Sequence, residues 1–218
     1  MRPYCHVKIF YFKPLGDRVY GMIGEDCLLS MFQPTTFVVL GPDRVGKTTL
    51  VNNTYAFLKA EGRGKPQILH FSGPKEYHNS PIDQYIDPIA PINFEEVRYL
   101  ICDRFGSEVC FYENFRRRLT ISDEWAISAE SFYDDISENI HVFLVQRDWE
   151  WAKPHHIAEL KQLHPSGTKY FLNQQLAVRK LEHEMYYDYM IDYLENKSIL
   201  SYKAIAPSSP VSTLFEFI

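Results

Sequence analysis

The run Gly41-Pro42-Asp43-Arg44-Val45-Gly46-Lys47-Thr48-Thr49 has the residue types and the GxxxxGK[ST] spacing of a loop that holds a triphosphate. Its glycines let the backbone wrap around phosphate oxygens, and the successive N–H groups after Pro42 supply positive potential at a helix amino end. Lys47 can reach the β and γ phosphates, and the Thr48 hydroxyl can take a place on Mg²⁺. A second group of reactive residues ends the apolar run Leu100-Ile101-Cys102, where Asp103 and Arg104 follow directly. Further on, Glu108 and Tyr112 stand four apart, a spacing that puts both on one helical face where they could meet a base or a sugar. Arg116-Arg117-Arg118 reads as a solvated helix end, where cations suit the dipole, in preference to an anion site. His155 and His156 have no Cys or acidic partner at ligand spacing and read as exposed residues, not a zinc site.

These groups need elements that bring them together. Phe37 to Leu40 is a short β-rich run leading into the glycine loop, and Lys47 to Lys59 reads as the helix that follows it. Further strands are expected at Gln67 to Phe71, Val97 to Cys102, Ile140 to Val145 and Ile199 to Ile205. Helices are expected at Ser107 to Arg118, Ser122 to Ile136 and Leu172 to Leu194. Strands alternating with helices imply an α/β fold: a parallel sheet of about five strands with helices on both faces, whose ligands sit beyond the strands' carboxyl ends. Asp103 and Arg104 then emerge on the same side as the phosphate loop, where an acceptor should bind. Residues 1–35 precede this unit as an amino-terminal extension, with strands expected at His6 to Phe12 and Arg18 to Ile23.

Composition narrows the class. The 218 residues suit one domain with insertions, and 45% hydrophobic with 23% charged residues is ordinary globular usage. The formal net charge of −5 disfavours a protein that coats duplex DNA, although a small basic channel remains compatible with it. No apolar stretch approaches a membrane span, and Lys8 and Lys13 interrupt what would be the core of a secretory signal. Cys5, Cys27, Cys102 and Cys110 form no CxxC pair, so reduced, mostly buried thiols and a cytoplasmic location are expected. Aromatics, at 15%, are the outlier.

Asp43-Arg44-x-Gly46-Lys47-Thr48-Thr49 resembles the DRxGK[ST]T phosphate loop of thymidylate kinases, and Asp103-Arg104-Phe105 resembles their DR[YHF] motif. The continuation from Phe105 through Ser107 and Glu108 to Tyr112 is similar to the DRxxxSExxY run of phage P-loop nucleotide kinases. The resemblance covers about residues 36–218 and implies a P-loop kinase domain using ATP and Mg²⁺. It implies that Arg44 contacts the γ phosphate, that Asp43 lies near the acceptor's sugar, that Asp103 organises the metal with Thr48, and that Arg104 touches the acceptor phosphate. The polar segment after the fourth strand, about residues 147–169, could fold over the phosphates as a lid; with Arg44 in the loop the resemblance requires no catalytic arginine there, and Arg147 is the lid's best candidate phosphate ligand. Phe71 falls beside the base, in a Phe-Ser-Gly-Pro turn with two residues inserted relative to the family's Phe-Pro. Tyr202 to Pro210 resembles the last strand and the turn that embraces the donor adenine. The stretch from Ser72 to Glu96 lacks the arginine that thymidylate kinases present to the acceptor phosphate.

The expected activity is transfer of the ATP γ-phosphoryl group to a deoxynucleoside monophosphate, with dTMP the leading acceptor. Lys47, Arg44, Asp103 and Arg104 would be catalytic, while Asp43, Phe71, Arg104, Glu108 and Tyr112 would hold the acceptor. One alternative keeps the kinase chemistry and changes the acceptor to a hydroxyl, on a nucleoside or on a modified base in viral DNA, with Asp103 or Glu108 taking the proton. Another is a nucleotide-binding switch without an acceptor. A nucleotide partner, no membrane and no duplex nucleic acid are expected, and a homodimer is compatible with the sequence.

Overall fold

The computed structural model describes residues 33–62, 64–71, 85, 87–89, 91–93, 96–117 and 122–206. The expected amino-terminal strands, Cys5, Cys27, the Ser72-Gly73-Pro74 turn, Arg118 and the Pro207 to Pro210 segment lie outside these residues. Five strands form one parallel sheet: β1 Thr35–Leu40, β2 Lys65–His70, β3 Val97–Asp103, β4 Asn139–Val145 and β5 Tyr202–Ile205. Their spatial order is β2-β3-β1-β4-β5. The helices are α1 Lys47–Ala60, α2 Gly106–Arg117, α3 Glu124–Ile136, α4 Trp149–Leu163 and α5 Lys169–Asn196.

The central position of β1 follows from its sequence. All six residues of Thr35-Thr36-Phe37-Val38-Val39-Leu40 are buried, as expected for a strand with neighbours on both edges and helices on both faces. Phe37 and Val39 join the apolar cluster that includes Leu50, Val51 and Leu58 of α1. Val38 and Leu40 point the other way, into a larger cluster with Cys110 and Phe111 of α2, Ala126 and Tyr133 of α3, and Tyr186 and Tyr193 of α5. Parallel pairing sets Val39 opposite Asp103, so the carboxyl ends of β1 and β3 lie side by side and the residues that follow them share one sheet edge.

Two boundaries depart from expectation for local reasons. Strand β5 starts at Tyr202, not Ile199, because the Ile199 N–H is already engaged by the Glu130 carboxylate at 3.1 Å. Helix α5 starts three residues before the expected Leu172 because the Thr168 hydroxyl accepts the Phe171 N–H at 3.2 Å and caps it. The polar segment after β4 is itself helical, as α4, and is capped by the Asp148 carboxylate accepting from the Trp151 N–H at 2.9 Å. Among the described residues no helix is long and apolar enough to cross a membrane.

Candidate active site

The loop between β1 and α1 turns on glycine. Gly46 sits at φ 99° in the left-handed region, and at Gly41, φ 155°, a Cβ would lie 2.9 Å from the Val45 side chain and 3.1 Å from the Val145 carbonyl oxygen. The buried Tyr186 hydroxyl of α5 accepts the Gly41 N–H at 2.7 Å. Lys47 folds back over the loop, donating to the Pro42 carbonyl at 3.1 Å and to that of Gly41. Val45, fully buried, anchors the loop in the core beneath it.

At the neighbouring strand end, the Thr48 hydroxyl donates to Asp103 Oδ2 at 3.2 Å, and His70 Nδ1 lies at the same distance from that oxygen. A hydroxyl beside a carboxylate is an oxygen donor set suited to Mg²⁺, which keeps several waters and draws its remaining ligands from substrate phosphates. No group of three or more His, Cys, Asp or Glu side chains able to hold a metal occurs among the described residues, so the fit is to an ion shared with phosphate, not to a protein cage. Thr48 and Asp103 would hold it.

The acidic and basic residues of the two motifs meet. Arg104 Nη2 donates to Asp43 Oδ1 at 3.1 Å, and Arg116 Nη2 to Asp43 Oδ2 at 2.6 Å. Burial opposes ionisation of Asp43, yet Lys47, Arg104 and Arg116 hold its carboxyl well below the usual carboxylate range. Arg116 also makes a two-pronged contact with Glu182 of α5, at 3.0 and 2.6 Å, and its guanidinium lies 4.3 Å from the centre of the Tyr112 ring. Arg104 approaches the same ring at 5.5 Å. Arg116 is thus not the solvated helix end that its charge run suggests: α2 delivers it to the loop, and the carboxylates of Asp43 and Glu182 keep it there.

Arg44, the other motif arginine, is held by a different carboxylate. Its Nε donates to Glu159 Oε2 of α4 at 3.2 Å, and its Nη2 pairs with the second oxygen of the same carboxylate. Arg44 and Arg104 are the two non-glycine residues at positive φ among the described residues, at 69° and 76°. An L-residue occupies that region at a cost of about 1 kcal/mol or more, and such strain tends to gather at functional sites.

Other expected positions fall elsewhere. Phe71, 2% exposed, packs against Tyr85, Phe105 and Tyr133 in the core. Glu108 is fully buried, with its carboxylate 3.1 Å from Lys47 Nζ, behind the loop and not on an acceptor surface. Tyr112 is nearly buried beneath the two guanidiniums. The Arg147 side chain stacks 3.6 Å over the Trp151 ring, which approaches Gly46, and Arg147 lines a hollow of about 340 Å³ with Gln146, Asp148 and Tyr187. Thr49, on the first turn of α1, is exposed. His156 is not exposed as expected: it is 2% exposed, stacked on Trp149, and burial lowers its pKa. Cys102 and Cys110 are free and buried, as expected.

Sequence reasoning missed Glu159, Glu182 and Tyr186, and set Arg116 aside as a solvated charge. All are one long-range contact away from a motif residue, and none carries a motif of its own. A charge on the buried side of a helix was the one available signal, present at Glu182 and absent at Glu159.

No family profile and no curated protein matches the chain. Among solved structures it is similar to polyphosphate kinase 2 from Arthrobacter aurescens TC1, with 13% identity and a TM-score of 0.55, over 81% of this chain and 62% of that one. The chain therefore spans less than two thirds of that protein's length. Other similar structures are thymidylate kinase from Ehrlichia chaffeensis (11% identity, TM-score 0.43, 85% of this chain and 96% of that one) and deoxyadenosine kinase from M. mycoides (15%, 0.41, 84% and 95%). With the observed strand order and loop, the fold is that of a P-loop kinase.

Proposed function

We propose that the protein is an ATP- and Mg²⁺-dependent phosphotransferase that moves the γ-phosphoryl group of ATP onto the phosphate of a deoxynucleoside monophosphate, with dTMP the leading acceptor. The observation that carries this reading is the meeting of the two motifs at one sheet edge: Thr48 on Asp103, and Asp43 between Arg104 and Arg116. Transfer between phosphate oxygens needs positioning and charge neutralisation more than covalent chemistry. Lys47 and the loop amides would hold the donor's β and γ phosphates, and Arg44, released from Glu159, would neutralise charge on the group in transit. A bound Mg²⁺ supplies Lewis-acid polarisation of the phosphoryl oxygens. Arg104 and Arg116 would orient an anionic acceptor, and Arg116 would supply from α2 the guanidinium that residues 72–96 lack.

A phosphate acceptor is already ionised, whereas a hydroxyl acceptor needs a base. The two candidate bases are engaged: Asp103 with Thr48 and His70, Glu108 with Lys47. That favours the monophosphate over a nucleoside or a DNA base. The kinase domain on this reading is residues 36–218 with the lid at 147–169, built by α4 and the turn after it.

An acceptor panel with ATP and Mg²⁺, read by product mass, tests the reading. It should contain dTMP, the other deoxynucleoside monophosphates, thymidine and single-stranded DNA, with a polyphosphate donor arm because the fold is shared with a polyphosphate kinase. The expected products are dTDP and ADP. ATP hydrolysis equal with and without every acceptor overturns it in favour of a switch protein.

A further inference from the structure

The loop lysine has a buried counter-ion. Lys47 Nζ lies 3.1 Å from Glu108 Oε1, Glu108 is wholly inaccessible, and Lys47 is itself buried. The Tyr186 hydroxyl, which accepts the Gly41 N–H, lies beside the same carboxylate. Three elements therefore converge under the loop: Glu108 from α2, Tyr186 from α5 and Lys47 from α1. A charge removed from water costs several kcal/mol unless it is paired, and Lys47 is the cation in direct reach. Arg104 acts from further away, and among the described residues the uncharged phenols of Tyr186, Tyr112 and Tyr85 also face Glu108. Burial pushes the Glu108 carboxyl above its usual range, while Lys47 and Arg104 pull it back.

We propose that Glu108, seated by Tyr186, is a positioning residue for Lys47: it aims the ammonium in the free protein and competes with the donor's phosphates for it. The inference rests on the donor half of the proposed function and not on the identity of the acceptor. Glu108 touches no substrate in this arrangement; it acts through Lys47. A carboxylate that only filled the core would be replaceable by its amide without consequence for nucleotide binding. A carboxylate that competes for Lys47 must, when neutralised, free the lysine for phosphate while loosening its aim.

Calorimetric titration with Mg-ADP and steady-state turnover with the best acceptor are compared for the full chain and for E108Q, K47M and the double variant. E108Q is expected to bind Mg-ADP about threefold to tenfold more tightly, because one anion competing at short range is gone. Its kcat is expected to fall about tenfold or more, because the lysine is no longer held in line. In the K47M background the same change should alter affinity by less than about twofold, since the effect passes through Lys47. Wild-type affinity and turnover in E108Q, or an equal affinity gain in the K47M background, overturns the inference. Should E108Q not fold by circular dichroism, E108D keeps the charge on a shorter arm: reduced turnover at near wild-type Mg-ADP affinity supports the inference, and full turnover overturns it. If the wild-type protein binds no Mg-ADP, the donor reading itself falls and this inference with it. Normal binding with an unmoved E108Q refutes this inference alone.

Discussion

Arg104 donates to one oxygen of Asp43 at 3.1 Å while Arg116 donates to the other at 2.6 Å, so one carboxylate of the phosphate loop ties together the end of β3 and the end of α2. Because these cations depress the Asp43 pKa in the folded protein, its contribution to stability is complete above the unfolded value of about 3.9 and is lost progressively as pH falls below it. Asp43→Asn should therefore melt below wild type at pH 7, and the gap should narrow as pH is lowered from about 4. Thermal melts of both proteins at a series of pH values check this; a gap that widens in acid contradicts it.

The Thr48–Asp103 pair predicts the metal dependence. Asp103→Asn keeps the shape and the contact with Thr48 but removes the charge, and should lower turnover by about a hundredfold while shifting the Mg²⁺ requirement to higher concentration. Mg²⁺ titration of the initial rate at fixed ATP gives the answer. Loss of rate at an unchanged Mg²⁺ midpoint would assign Asp103 a different task.

Arg44 is paired with Glu159, so on the proposed function donor binding would displace that carboxylate. Both groups are partly exposed, and such pairs are worth about 0.2–1 kcal/mol, which caps the effect of Glu159→Gln at about a fivefold fall in the KM for ATP. Arg44→Ala should instead lower kcat by about a hundredfold or more with little change in melting temperature. Initial rates at varied ATP separate the two outcomes.

Arg116 is read as an acceptor ligand, and Arg116→Met tests that directly. The KM for the monophosphate should rise about tenfold or more while the KM for ATP stays within about twofold. Glu182 then keeps only the longer contact with Arg179, at 3.4 Å, so melts should accompany the kinetics.

One prediction concerns packing alone. A Cβ on Gly106, at the start of α2, would lie 2.7 Å from the Ala126 backbone Cα and 3.3 Å from the Ala129 side chain. Gly106→Ala should cost about 1–3 kcal/mol by forcing α2 and α3 apart. Urea unfolding should show a lower midpoint at an unchanged slope.

The strands and the loop were legible because their signals are local. Phe37 to Leu40 is an unbroken apolar, β-rich run, and Gly41 to Thr48 carries its geometry in its glycines. Phe71 and Glu108 were misplaced for a shared reason: sequence spacing assigns a residue to a face but does not say whether that face meets solvent or the core. Arg116 is the converse case. It opens a run of three arginines in sequence, whereas its neighbours in space are Asp43, 73 residues away, and Glu182, 66 residues away.

The surplus of aromatic residues became intelligible only from contacts of this range. Tyr186 receives the Gly41 amide, Tyr187 donates to the Val145 carbonyl, Tyr189 to Asp123 and Tyr193 to Glu130, so one helix uses phenols to fill the core and to satisfy polar groups that the sheet edge and α3 leave behind. A phenylalanine at Tyr186 would fill the same core space and leave the Gly41 amide without this acceptor.

The left-handed backbone at Arg44 sets stability and chemistry against each other. Glycine would occupy φ 69° without strain, while the exposed Arg44–Glu159 pair returns about 1 kcal/mol at most, so Arg44→Gly should be neutral or better in a heat challenge. A library selected only for surviving high temperature would thus drift toward glycine at this position, and the survivors would be robust proteins that no longer turn over.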